Sequence, residues 1–434
     1  MRIGIVPGLN ASDGGIYQYS FTMLQALDNR QTSRDSFILF ADKMRNPAVV
    51  ALQNEGWVVK PLVPITSRRR FISLAERVVG PRPREATLKL ASRLLHRNQG
   101  PSADPNKVQF NYELEQWFLS NGIELMLYPI SSSLSFETRI PYVMSVHDLQ
   151  HRLQPEFPEV SANGEGESRE YLFRNGIRNA TLLLAESETG KEDILNFYGQ
   201  YGATPDRIKI LPLLPSCTLA PQTTETEQRR IRGKYCLPDH YLFYPAQFWP
   251  HKNHVRVVEA LGLLRQRYGL KIPIAFCGSH SGAIREQVFS EVKAVTARCD
   301  LTEQIHYLGY VPDADISGLY VGATALIMPT FFGPSNIPIL EAWQLNCPVL
   351  TSDIRGIREQ SGDAAILIDP GSVEQIADGI NCLWTDAGLR RTLVERGQRR
   401  LRTFTPDDFK SRLMQILEEA KTRVRSERER RALR

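Results

Sequence analysis

The chain is punctuated by short, almost wholly apolar runs that end at glycine, proline or polar clusters. In the first half these are "RIGIV", "SFILFA", "GWVVKPLV", "IELMLYPI", "PYVMSV", "ATLLLAES" and "IKILP". In the second half they are "YLFYPA", "IPIAFCG", "QIHYLG", "ALIMP", "PVLTS" and "AAILI". Runs this short and this apolar predict strands buried on both faces, as in a parallel sheet. Between them apolar residues recur at helical spacing, as in "IYQYSFTMLQAL" after "ASDGG" and in the stretch from Asn253 to Arg267. Strand–helix alternation of this kind predicts an α/β protein with helices covering parallel sheets. The pattern restarts once, so the expected architecture is two doubly wound, Rossmann-like domains. Pro212, Pro215 and the polar stretch 216–230 mark the expected linker. The expected division is 1–215, 216–400, and a C-terminal helix with a basic tail over 401–434. Doubly wound sheets bind ligands outside the carboxyl ends of their strands. Two of them face to face place a ligand in the cleft between.

Composition narrows this picture. A chain of 434 residues exceeds what one hydrophobic core serves, and 42% apolar with 23% charged residues is ordinary for a globular protein. No apolar run approaches the roughly 20 residues of a spanning helix. Arg2 leads directly into "IGIV", with no signal-like segment, so a soluble, cytoplasmic protein is expected. The six cysteines all lie in the second half and none form CxxC, which argues for reduced, buried thiols rather than a zinc ribbon or redox pair.

The net charge of +5 is unevenly spread. Residues 67–97 hold nine Lys/Arg against two Glu, and the tail 421–434 holds seven against two, which leaves the remainder acidic. Two local basic segments suggest an anionic surface or ligand, and not general nucleic-acid binding. Within 67–97, "FISLAERVV" and "ATLKLASRLL" carry apolar residues at helical spacing. They read either as surface helices with a solvated basic face or as a surface that meets an anionic membrane at its inner face.

Four strand ends could carry chemistry. In "PTFFGPSNIPILEAW" a loop feeds a helix N-terminus, a natural anion site, with Pro338 in the first turn. Glu341, just inside that helix, is either a ligand contact or an acid placed for the helix dipole. In "YPAQFWPHKNH", Lys252 sits where a strand gives way to a helix, as a phosphate contact or as a solvated cap. In "MSVHDLQH", His147 and Asp148 follow a strand. They suit an acceptor-positioning or acid–base role, or a structural pair; a metal site with His151 lacks a spaced third ligand. In "NASDGGIYQY", Gly14 and Gly15 are not GxGxxG, but they let backbone approach a phosphate or sugar closely.

Taken together, these segments resemble glycosyltransferase family 4, retaining enzymes of the GT-B fold, over roughly residues 1–400. "GPSNIPILEAWQLNCPVLTSDIRGIREQSGDAAILIDP" is similar to the family's nucleotide-sugar segment, and "YPAQFWPHKNH", "SVHDLQH" and "YLGYVPDADISGLYVGA" to other recurrent segments. The "FGPSNIP" and "QFWPHKNH" forms resemble a mannosyltransferase-like variant. The resemblance implies that Glu341 holds the donor ribose, and that Asn336 and Ile337 offer backbone N–H groups to the donor diphosphate. It implies that Lys252 clamps that diphosphate and that His147 lies near the transferring sugar. Gly14 and Gly15 would face donor phosphate and acceptor, and Tyr310 and Val311 would pass the nucleobase. Two positions depart from the pattern. Gly333 stands where the first Glu of the Glu-x7-Glu pair belongs, and Gln247 where the lysine's partner arginine belongs.

The implied activity is hexosyl transfer, with mannose the sugar that the variant suggests, from a nucleoside diphosphate sugar to a glycan or lipid-linked glycan acceptor. The nucleotide sugar is a co-substrate; no resident cofactor or metal is expected, and no nucleic-acid partner. A nucleotide-sugar epimerase of similar architecture would need further acid–base carboxylates. A non-catalytic sugar-binding or scaffold subunit is motivated by Gly333 and Gln247.

Overall fold

The structure, a computed structural model, describes residues 1–10, 14–27, 36–62, 108–219 and 224–433. The basic stretch 67–97 therefore lies outside the described residues.

Every predicted strand forms. The first sheet has seven, in the order β3-β2-β1-β4-β5-β6-β7. They are β1 (Arg2–Ile5), β2 (Ser36–Ala41), β3 (Val59–Pro61), β4 (Leu125–Tyr128), β5 (Tyr142–Ser145), β6 (Leu182–Ala185) and β7 (Ile208–Ile210). The second has six, in the order β10-β9-β8-β11-β12-β13. These are β8 (Leu242–Pro245), β9 (Ile274–Cys277), β10 (Ile305–Gly309), β11 (Ala325–Met328), β12 (Val349–Ser352) and β13 (Ile366–Ile368). All neighbouring strands are parallel. Both sheets thus wind outward from a central strand and reverse beside it, between β1 and β4 and between β8 and β11. Each reversal opens a crevice at the carboxyl ends.

Side-chain alternation explains why both faces are apolar. Leu125 and Leu127 enter one core with Ile3 and Ile5, while Met126 and Tyr128 enter the core on the opposite face. The second sheet has a core of its own around Phe243, Phe276 and Leu326.

Two features differ from the sequence reading. The supposed linker 216–230 contains the start of a helix, Glu225–Tyr235, whose N-terminus Thr224 caps by accepting from the Glu227 amide at 3.2 Å. Its Ile231 packs against Gly318 of the helix Asp313–Gly322, so this segment belongs to the second domain. The C-terminal helix Pro406–Ala432 does not stand apart. Phe409, Leu413, Leu417 and Val424 complete the core of the first sheet. Its basic tail is partly neutralised in place, since Arg423 pairs with Asp206 and Arg428 with Glu124. Among the described residues no helix is long and apolar enough to cross a membrane.

Candidate functional site

The first sheet brings three strand ends together. Pro129 follows β4, His147 follows β5 by two residues, and Glu186 follows β6 directly. The His147 Nδ1–H donates to Glu186 Oε1 at 2.6 Å and the Nε2 nitrogen faces the Pro129 carbonyl at 2.9 Å. Tyr19 lies edge-on to the ring, with centroids 4.9 Å apart. Burial alone would push the His147 pKa down. The Glu186 hydrogen bond and charge, with the Pro129 carbonyl, outweigh it and hold the pKa above the usual histidine value. His151 turns away from His147: it bonds the Tyr198 hydroxyl at 3.0 Å and stacks on Phe173. The two histidines therefore do not share a site.

Gly14 adopts a φ of 60° at the start of the helix Gly15–Ala26, a conformation that favours glycine. A Cβ at Gly15 would lie 3.7 Å from Ile337 Cδ1, so this glycine turn faces the second domain's loop across the cleft.

In the second sheet, β11 ends at the loop 329–336, followed by the helix Ile337–Gln344. The Gln360 side chain grips the loop twice. Its Oε1 accepts from the Asn336 amide and its Nε2 donates to the Asn336 carbonyl, both at 2.9 Å. One of the two amides expected to face a diphosphate is therefore occupied. Ile337, the first helical residue, has no intrahelical acceptor for its own N–H. Gly333 has a φ of 150°, and the Asn336 carboxamide fills the space a Cβ would take. The Asn336 side-chain nitrogen is itself buried without a hydrogen-bond partner.

Glu341 is 9% exposed and accepts from the Tyr320 hydroxyl at 2.8 Å. Burial pushes its carboxyl up to about 7, although the Tyr320 bond pulls the other way. Lys252 closes a short helical turn, Pro250–Lys252. The next residue, Asn253, takes a φ of 63° and ties the turn down by donating to the Pro329 and Pro370 carbonyls. Burial pushes the Lys252 ammonium down to about 8. Among the described residues no carboxylate forms an ion pair with it: Asp148 and Glu159, whose charges pull its pKa back up, are themselves held by Arg169 and His251.

Gln247 receives hydrogen bonds from Arg285 Nη1 at 2.6 Å and Trp249 Nε1 at 3.1 Å. The Arg285 guanidinium stacks over the Trp249 ring. A guanidinium thus does reach this loop, but from the helix Ala283–Arg298. Tyr310 is exposed, Val311 is buried, and both follow β10 at the same end of the sheet.

Contacts across the cleft draw the halves together. Ser335 Oγ donates to Glu186 Oε2. Gln154 Nε2 donates to the Phe331 carbonyl at 2.9 Å, and Arg355 pairs with Asp193 at 3.0 Å and Glu192 at 2.9 Å. Glu359 accepts from the amides of Glu188 and Thr189, each at 2.9 Å, at the start of the helix Glu188–Tyr198. Between the halves lies a cavity of about 210 Å³, lined by His147, Asp148, Leu149, Phe331, Phe332 and Gly333 among others.

Sequence reasoning named His147, Lys252 and Glu341, and missed Glu186, Arg285 and Gln360. Glu186 was within reach, because it follows "LLLA" at a strand end as His147 follows "YVMS". Arg285 and Gln360 sit inside ordinary helices and carry no local signal.

Comparison with known proteins agrees with this layout. Residues 227–400 match the family described as glycosyl transferases group 1. The O-antigen chain mannosyltransferase B of Escherichia coli is 28% identical over 57% of this chain and 63% of its own length. A D-inositol 3-phosphate glycosyltransferase of Corynebacterium glutamicum is 22% identical over 62% of this chain and 64% of its own length. The chain thus spans less than two thirds of these relatives. Among solved structures, Anabaena Alr3699/HepE in complex with UDP and glucose superposes with a TM-score of 0.66 at 16% identity, over 96% of this chain and 99% of that one. The chain has the GT-B fold of two facing Rossmann-like domains, and residues 227–400 of its second domain are similar to the glycosyl transferases group 1.

Proposed function

We propose that the protein is a retaining glycosyltransferase of family 4 that moves a hexose from a nucleoside diphosphate sugar to a hydroxyl of a glycan or lipid-linked glycan. The observation that carries this reading is Lys252, a half-buried ammonium at the carboxyl end of the second sheet that forms no ion pair among the described residues. A charge kept there without an ion pair suits an anionic ligand. The free amide of Ile337 and the helix dipole behind it supply a second positive feature. Glu341, one turn inside the same helix, would accept hydrogen bonds from ribose hydroxyls.

In this mechanism the C1–O bond of the donor sugar breaks and the diphosphate leaves with the bonding pair. The acceptor oxygen bonds C1 from the same face, and the departing phosphate takes the acceptor proton. Lys252 and the Ile337 amide favour the transition state, because charge gathers on the diphosphate only as the bond breaks. Tyr310 and Val311 would pass the base, and Gly14 and Gly15 would approach donor and acceptor. These groups supply the positive potential without a resident metal. Mannose as the sugar is supported by the name of the Escherichia coli relative. For a lipid-linked acceptor, residues 67–97 would rest on the anionic inner face of the membrane.

The test is acceptor-dependent release of nucleoside diphosphate, measured across GDP- and UDP-sugars with chelator present. Release only with acceptor supports transfer. Tight nucleotide binding with no release under any acceptor would favour a binding subunit instead.

A further inference from the structure

Among the described residues, Glu186 is a carboxylate that touches both halves of the cleft through side chains of the candidate site. One oxygen takes the Nδ1 proton of His147 at 2.6 Å, and the other takes the hydroxyl proton of Ser335 in the loop 329–336. Glu186 is nearly buried, its side chain 9% exposed. A buried carboxylate is costly unless its lone pairs are used and its charge is met. Here both conditions are satisfied by residues that belong to opposite sheets.

The histidine side of this contact has a chemical consequence. Both ring nitrogens of His147 face acceptors, the Glu186 carboxylate and the Pro129 carbonyl. Two acceptors are satisfied together only by a ring protonated at both nitrogens. The ring also lies edge-on to buried Tyr19, with centroids 4.9 Å apart. The other titratable groups about it are Asp148, engaged by Arg169, and Tyr19, kept neutral by burial. An imidazolium with both N–H groups turned inward cannot serve as a base from this position. What it offers the cavity is charge.

We propose that Glu186 is a positioning residue for the transfer reaction: it holds His147 as a fixed cation in the cleft and, through Ser335, ties that cation to the donor loop of the opposite domain. The inference rests on the transferase reading for its kinetic consequences, though its structural core does not. In the closed cleft, one carboxylate sets the distance between the imidazolium and the loop whose next residues meet the diphosphate. Positive charge near the leaving group then depends on closure. Opening the cleft removes the Ser335 contact while leaving the His147 contact in place.

The experiment compares wild type with Glu186→Gln, Glu186→Asp and Ser335→Ala. Glutamine keeps the shape, an acceptor for His147 and a donor for Ser335, and removes only the charge. The first readout is the proton NMR titration of the His147 ring, assigned by its loss in His147→Gln. Its midpoint should move to lower pH in Glu186→Gln and return towards wild type in Glu186→Asp. The second is turnover against pH. Working as a cation, His147 supports activity below its raised pKa and loses it above. The alkaline fall in kcat should therefore move to lower pH in Glu186→Gln, with kcat at neutral pH down about 10- to 100-fold and the Kd for free nucleoside diphosphate unchanged. Ser335→Ala should leave the His147 titration unchanged and raise the donor KM. An identical His147 titration in wild type and Glu186→Gln overturns the proposal whether or not the protein transfers sugar. An intact titration effect without any transferase activity would instead remove the proposed function and leave the pair standing.

Discussion

At the carboxyl ends of the second sheet, half-buried Lys252 and buried Glu341 form no ion pair among the described residues, although the Asp148 and Glu159 charges act on Lys252 from nearby. In the first domain, His147, Asp148 and Glu186 at strand ends and Asp193 in the helix Glu188–Tyr198 all have charged partners. The two sheets share one winding order, so topology does not cause the difference. A buried charge without an ion pair costs stability, and under the proposed transfer reaction a donor would meet both. The first domain carries a finished network whose geometry is set before anything binds. Under the proposed reaction, one half would be completed by a donor and the other would hold groups in fixed orientation around it.

Removing the unpaired ammonium tests this contrast most severely. Lys252→Ala should lower turnover about 10²–10³-fold, the scale for one preorganised donor aimed at developing charge. Steady-state assays at saturating donor would decide it. Unchanged turnover in a folded variant would return Lys252 to a cap of its own turn.

The unpaired carboxylate comes next. Glu341→Ala should weaken nucleotide binding by about 1–3 kcal/mol, because ribose hydroxyls lose a charged acceptor. The helix itself should persist, alanine being a good helix former. Calorimetric Kd values for nucleoside diphosphate are the check, and equality with wild type would end the ribose role.

The same two groups impose a pH window. Glu341, raised to about 7, must ionise to accept from a hydroxyl pair, so donor affinity should climb as pH rises through that value. Lys252, lowered to about 8, must stay protonated to meet phosphate, so affinity should fall as pH rises past it. A bell centred between them follows, and Glu341→Gln should flatten its acid limb. Stability of the free protein runs the other way for Glu341. Its folded value lies above its ordinary 4.5, so its contribution is present in acid and is lost as pH rises towards about 7. Thermal melts with and without nucleotide should therefore diverge most above neutrality.

The contrast also explains what could be read from the sequence. Lys252, Gln247 and Glu341 lie in contiguous stretches where a strand gives way to a helix, and each stretch advertises itself by apolar run, turn and cap. The strands of the first half were equally legible, yet its network joins His147 to Glu186 and Glu186 to Ser335, residues from separate strand ends and separate sheets. Pairings of that kind leave no periodicity. The helix Pro406–Ala432 is a similar case: Phe409, Leu413 and Ile416 show their apolar face, but nothing local says that the face returns to the first sheet. The polar linker reading failed at Thr224, where a capping hydroxyl turned a charged stretch into a helix.

The gentlest test concerns how the halves stay together. Glu359, exposed on the second domain, accepts from the amides of Glu188 and Thr189 at the positive end of a first-domain helix. Ser187 already caps that helix through the Gly190 amide at 3.0 Å, so the helix does not depend on Glu359. What the carboxylate adds is attraction across the cleft, of the order of 0.3–1 kcal/mol for a charge at an exposed helix N-terminus, weakened by salt. Glu359→Ala should therefore leave the melting temperature of each domain unchanged. It should shift the distance distribution between fluorophores on the two halves towards the open form, and raise the donor KM by up to about fivefold, since 1 kcal/mol is close to that factor. Turnover at saturating donor should hold, because in the proposed reaction the bound donor would bridge Lys252 and Glu341 to the first domain. The difference from wild type should shrink in high salt. A drop in saturated turnover that salt does not reduce would mean that Glu359 shapes the reacting geometry, and that the first domain's network extends further across the cleft than Glu186.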